Sequence, residues 1–360
     1  MDLDALLQHL VEHKGSDLHL KAGSPPHIRV DGRLEAAPYP AVQASDTERI
    51  AFQIMPSDRA DEFASQNEAD FAHSLPGLGR FRVNVYRQRS SVALVFRRVA
   101  PGAPSFESLG LPSAVQRLAE EPRGLVLVTG PTGSGKTTTI ASMIDHINET
   151  RSVNIVTIED PIEVLHTDKQ SIVSQREIGT DTSDFAQAMR RVLRQDPDVI
   201  FVGEMRDPET VWAALAAAET GHLVLSTLHT TNATETVNRI VDFFPPFQQK
   251  QVRLTLGSSL RGVVSQRLLE RADGKGRIPA VEILVMTGRI FDRIVDPEGH
   301  DETIEELLVD GEYYGMQTFD QSLLNLYKNG LVSLRDAMAI SSNPHDLRVA
   351  LQQAGLLSAT

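Results

Sequence analysis

Residues 130–137 read Gly-Pro-Thr-Gly-Ser-Gly-Lys-Thr, a full match to G-x-x-x-x-G-K-[ST], following the apolar run Leu125-Val-Leu-Val. A strand ending in such a loop and opening into a helix turns a row of backbone N–H groups, and the positive helix end, toward a phosphate chain. Gly130, Gly133 and Gly135 let the backbone wrap phosphates without Cβ clashes, and Pro131, Thr132 and Ser134 complete the turn. Lys136 is spaced to reach the β- and γ-phosphates, and Thr137, with Thr138 beside it, to offer a hydroxyl to Mg²⁺. This is the chemistry of a nucleoside triphosphate site.

Phosphoryl transfer also needs an acid near the metal, a group that orients water, and positive charge against the γ-phosphate. Asp198-Val-Ile-Phe-Val-Gly-Glu is an apolar strand ending in Glu204, the form of a second phosphate-site motif supporting Mg²⁺. Thr157-Ile-Glu-Asp-Pro-Ile-Glu places three carboxylates after another strand; spacing favours Glu163 only slightly over Glu159 as the group that polarises water. His222 and His229 bracket a strand of about 20 Å, too long for a shared metal. His229, at the carboxyl end, is placed to meet the γ-phosphate or the acids. Ser226, Thr227, Thr230 and Thr231 add hydroxyls without a paired base, so a serine-hydrolase reading falls away. Arg80, Arg82, Arg87, Arg89, Arg97 and Arg98 lie on one hairpin and are a source of positive charge, from the same chain or from a neighbour.

The elements that must position these groups are α/β. Residues 1–100 read as an α+β domain: Leu3, Leu6, Leu7, Leu10 and Val11 recur at helical spacing, Asp31-Gly32 marks a tight hairpin, and residues 80–86 and 91–97 alternate apolar with polar. Pro101, Gly102, Pro104, Gly110 and Pro112 mark residues 101–113 as a linker about which the first domain is expected to hinge. Residues 114–290 alternate strands, at 125–129, 153–158, 199–203 and 223–227, with helices starting near 135, 182, 208 and 246, which predicts a parallel sheet covered by helices. The motifs fall at the carboxyl ends of those strands and so on one edge. Residues 291–360 read as a helical region.

Composition narrows the class. The 360 residues are 41% apolar and 23% charged, as in ordinary globular proteins. No cysteine occurs, which excludes disulfides, Cys-ligated zinc and a thiol nucleophile. The acidic amphipathic start is unlike a signal peptide, and no apolar stretch approaches the roughly 20 residues that span a bilayer, so a cytoplasmic protein without membrane insertion is expected. A formal charge of -13 argues against nucleic acid as a partner.

Together the four boxes, with Thr220-Gly-His-Leu-Val-Leu-Ser-Thr-Leu-His-Thr-Thr as the last, resemble the secretion-superfamily ATPases, and more narrowly the PilT/PilU-like type IV pilus retraction ATPases. Gly15-Ser-Asp-Leu-His-Leu, Gly79-Arg-Phe-Arg-Val-Asn, Val237-Asn-Arg-Ile-Val-Asp-Phe-Phe-Pro and Gly315-Met-Gln-Thr-Phe-Asp extend the likeness over nearly the whole chain. The resemblance implies a PAS-like first domain, a RecA-like core and a homo-hexameric motor that hydrolyses ATP with Mg²⁺ to power pilus retraction and twitching motility. Its implied partners are an inner-membrane platform protein and a paralogous pilus ATPase. It implies Glu163 as general base, Glu204 as the second-motif acid, His222 and His229 as histidine-box residues, and Arg82 and Arg97 as arginine fingers. The four-cysteine element of assembly ATPases is absent, which favours the retraction branch. Where retraction members carry A-I-R-N-L-I-R-E, this chain reads Arg289-Ile-Phe-Asp-Arg-Ile-Val-Asp, and the tail looks closer to the accessory paralogue. Accessory and assembly roles therefore stay open beside retraction.

Overall fold

The computed structural model describes residues 1–299 and 301–357, which divide into two compact units. The first comprises Met1–Pro101 with Glu163–Leu165, and the second holds the rest of the described chain.

In the first unit, helix α1 (Leu3–Glu12) is capped by the Asp2 carboxylate and buries Leu3, Leu6, Leu7 and Leu10. Strands β1 (Asp17–Lys21), β2 (His27–Val30), β3 (Arg33–Ala36), β4 (Glu68–Leu75), β5 (Gly79–Gln88) and β6 (Ser91–Arg98) form one antiparallel sheet in the order β3-β2-β1-β6-β5-β4. Asp31 and Gly32 turn the β2-β3 hairpin with φ of 46° and 81°, the pairing that matches strand twist. Helices α2 (Ala44–Ile54) and α3 (Ser57–Gln66) lie between β3 and β4 in the chain, and Ile50 and Phe63 from them join Phe81, Val83 and Val85 of β5 in the core. Arg82 faces the other way, directly opposite Arg97 across the pair. A short parallel ladder joins β7 (Ala100–Pro101) to β10 (Val164–Leu165).

The second unit begins with α4 (Phe106–Leu109) and α5 (Ser113–Ala119). The expected linker is packed here: Phe106 and Leu111 enter the core, and Ser142 Oγ donates to the Pro104 carbonyl at 2.6 Å. The prolines and glycines read as punctuation, but the apolar residues between them gain more from burial than from water. The division therefore falls at Pro101, not along residues 101–113.

Seven strands build the central sheet: β8 (Gly124–Thr129), β9 (Asn154–Glu159), β11 (Ile172–Glu177), β12 (Val199–Val202), β13 (Leu223–Leu228), β14 (Leu260–Glu270) and β15 (Arg277–Val285). Their order is β11-β9-β12-β13-β8-β14-β15, parallel except for β15. Every residue of β8 and β13 is buried, as a strand covered on both faces requires. Leu125 and Leu127 enter one core and Val126 and Val128 the other, each burial contributing about 1.5–3 kcal/mol. Helices α6 (Lys136–Thr150), α7 (Phe185–Val192), α8 (Pro208–Glu219), α9 (Ala233–Asp242) and α10 (Pro246–Ser259) alternate with the strands. Helices α11 (Gly288–Val295), α12 (Ile304–Asp310), α13 (Phe319–Lys328), α14 (Leu334–Ile340) and α15 (Pro344–Gln353) follow, and Phe319 and Leu323 pack on Ile278 and Ala280 of β15.

Candidate functional site

The register aligns Val202 with Ile158 and Ser226, and Leu228 with Thr129, so the segments after β8, β9, β12 and β13 emerge along one sheet edge. Gly130 opens the first with φ 141°; a Cβ there would lie 2.4 Å from the Gln266 carbonyl and 2.6 Å from Ser134 Oγ. Gly133 (φ 79°) and Gly135 (φ 91°) complete the turn, and Gly135 is the N-cap of α6. Pro131, Thr132 and Gly133 are exposed, Thr137 and Thr138 half-buried. Lys136 is 9% exposed, and its ammonium donates to the Gly130 carbonyl at 2.7 Å and the Pro131 carbonyl at 3.1 Å. Gln266 of β14 donates to Thr139 at 2.9 Å and so ties α6 to the sheet.

Strand β13 lies between β8 and β12, so Glu204 stands two strand spacings, about 10 Å, to the side of the loop. Gly203 N–H donates to Ile158 O at 2.8 Å, and Thr227 Oγ1 to Gly203 O at 2.6 Å, which fixes the backbone under Glu204. The Glu204 side chain is 16% exposed, paired in close contact with Arg206, and 3.5 Å from His229 Nε2. Arg206 also lies 3.7 Å from Asp160 Oδ2. A cavity of about 330 Å³ opens beside them, bordered by Glu204, Arg206, His229, Glu235 and Arg239.

His222 is not at this edge. It sits at the amino end of β13, seven residues before His229, where Nδ1 lies 2.9 Å from the Ala217 carbonyl and 3.2 Å from Thr220 Oγ1 at the end of α8. A parallel strand presents its two ends to opposite edges, so the two histidines cannot share one site.

Glu159 and Glu163 differ sharply. Glu159 is 6% exposed and accepts from Thr157 Oγ1 at 2.6 Å and Gln175 Nε2 at 3.0 Å. Glu163 is exposed and groups with the first unit through the β10 ladder. Arg97 donates to Asp17 at 2.8 Å. Burial pushes the Asp17 carboxyl up, but the Arg97 and Ser16 hydrogen bonds and the Arg97 charge outweigh it and hold the group below the ordinary range. Arg82 is half-buried on the same hairpin.

A model of the family described as "Type II/IV secretion system protein" matches residues 1–307. The chain is 43% identical over 346 residues to the type IV pilus retraction ATPase PilT of Pseudomonas aeruginosa, covering 96% of this chain and 100% of that one. It is 41% identical over 352 residues to the type IV pilus ATPase PilU of the same organism, covering 98% and 92%. The crystal structure of the pilus retraction motor PilT with bound ADP superposes with a TM-score of 0.85 at 47% identity, covering 97% of this chain and 99% of that one. The chain belongs to the type II/IV secretion system protein family. Within it, the chain is a PilT/PilU-like nucleotide-binding ATPase.

Among the described residues no cluster of three His, Cys, Asp or Glu side chains is arranged to cage a metal. Magnesium is held by one or two protein oxygens plus phosphate and water; the half-buried Thr137 hydroxyl and the Glu204 carboxylate are oxygen donors of that kind.

Several site residues escaped sequence reading. Arg206 adjoins Glu204, and its partner Asp160 is one of the three carboxylates already singled out, but their approach depends on the β9-β12 register. Glu235 and Arg239 come from α9, whose apolar residues are spaced for one buried face. Gln175 and Glu177 lie on β11, a polar strand at the sheet edge.

Proposed function

We propose that this chain hydrolyses Mg-ATP in a cytoplasmic homo-hexameric ring and uses the energy to retract type IV pili, drawing pilin subunits out through an inner-membrane platform protein and so driving twitching motility. The observation that carries the reading is the Lys136 ammonium folded against the loop carbonyls above the Gly130 turn, on an edge that also bears Glu204 and His229. Loop N–H groups and Lys136 bind the phosphates. Bound magnesium would neutralise charge on the β- and γ-phosphates. Glu163, exposed where Glu159 is committed to two donors, takes the proton from a water whose oxygen attacks the γ-phosphorus. The bond to the bridging oxygen breaks, and ADP and phosphate leave. Arg82 and Arg97 supply positive charge to the transition state; Arg97 exchanges Asp17 for phosphate to do so. His229 and Arg206 hold Glu204 and respond to the γ-phosphate. His222 supports the strand that carries this segment.

A second reading rests on the nearly equal identities to PilT and PilU and on the departure at residues 289–296. In it the chain is an accessory ATPase that strengthens a paralogous motor. Retraction measured in cells lacking each pilus ATPase separates the readings: restored twitching without the paralogue supports an independent motor, and restoration only in its presence supports the accessory role.

A further inference from the structure

The segment that carries Glu163 is held at both ends by alternate residues of β11. Ile162 N–H donates to Glu177 Oε2 at 3.1 Å, and His166 N–H donates to Gln175 Oε1 at 2.9 Å. Positions 175 and 177 are two apart in a strand, so both side chains leave the same face. The other end of the Gln175 amide donates to Glu159 Oε1, which also takes the Thr157 hydroxyl. Beyond His166 the chain is tied to the helix that opens at the phosphate loop. The fully buried Asn148 of α6 donates to Thr167 O at 2.8 Å and accepts from Lys169 N at 3.0 Å.

We propose that Gln175, with Glu177, is a positioning residue that fixes residues 162 and 166 and thereby sets where the Glu163 carboxylate stands. The inference rests on the reading of Glu163 as general base. Glu163 itself is exposed on a short ladder, and a base must stay within hydrogen-bond reach of the water it deprotonates. Both anchors are backbone N–H groups, so the side chains of 162–166 could change while the clamp held. Glu159 acquires a role distinct from catalysis: it orients the Gln175 amide so that its oxygen faces His166.

The test is steady-state Mg-ATP hydrolysis by the full chain carrying Gln175→Met, which keeps the volume and loses the hydrogen bonds to His166 and Glu159, alone and combined with Glu163→Gln. The expected result is a fall in kcat of about tenfold or more, with MgADP affinity within about twofold of the parent, because displacement of a positioned group acts on the chemical step. In the Glu163→Gln background the same change should add less than about twofold, since the group being positioned no longer does chemistry. Gln175→Asn, which keeps the amide but shortens its reach, serves if the Met variant does not fold. Parental kcat in a folded Gln175 variant, a loss of MgADP affinity matching the loss of kcat, or full multiplication with Glu163→Gln overturns the inference. Glu163→Gln turning over at the parental rate instead overturns the base assignment itself, and the positioning role with it.

Discussion

Gly130 leaves no space for a side chain, because its φ of 141° and the carbonyl of Gln266 together exclude a Cβ. That is why the phosphate loop was legible from eight letters: its demands are local and fall on residue types. Lys136→Ala should weaken MgADP binding by about 1.5–3 kcal/mol, the worth of a charge-assisted hydrogen bond, as read by titration calorimetry. Glu204→Ala should keep that binding and lose turnover; hydrolysis at the parental rate would contradict its assignment. The pairing of Glu204 with Arg206 was not legible, since it depends on a turn geometry that sequence spacing does not specify. Glu282 offers a test in the core. Burial pushes its carboxyl up to about 7, against the Ala233 N–H bond that favours ionisation. The folded chain then holds a proton that the unfolded chain has released, so stability falls as pH rises from about 4.5 to about 7 and is level above that. Glu282→Gln keeps an acceptor for Ala233 and removes the titration. Urea unfolding across that window should show the variant gaining up to about 3 kcal/mol on the parent by pH 7; a constant difference would contradict the shift.

Elements were legible where burial is symmetrical and missed where it is not. Strands β8, β9, β12 and β13 read as apolar runs because both faces are covered. Strand β11 lies at the edge, exposes Ile172 and carries Ser-Gln-Arg-Glu, so neither hydrophobicity nor alternation revealed it, although it supplies the clamp on the Glu163 segment. Residues 101–113 read as a linker for the opposite reason: turn residues outnumber Phe106 and Leu111, yet those two are packed in the core. Helix α8 starts where expected because Asp207 accepts from Thr210 N–H at 2.8 Å and Pro208, having no N–H, needs no acceptor. Asp207→Ala should cost about 1 kcal/mol of stability, seen as a lowered unfolding midpoint, with nucleotide affinity retained.

At the scale of the molecule, Arg82 and Arg97, proposed to meet transition-state charge, lie in the first unit and the phosphate loop in the second. Among the described residues no helix is long and apolar enough to cross a membrane. Mixing Arg97→Ala chains with Lys136→Ala chains should restore partial ATPase activity if each site is completed by a neighbour, since some sites then receive an intact loop and an intact arginine. No restoration would place finger and loop in the same chain. The most direct test of the account is Mg-dependent ATP hydrolysis over a dilution series of the purified protein, with the assembly mass measured at each concentration. Turnover per chain should rise as a six-membered ring forms. A stable ring that binds ATP without hydrolysing it, or full turnover by isolated chains, would contradict an ATP-driven ring motor.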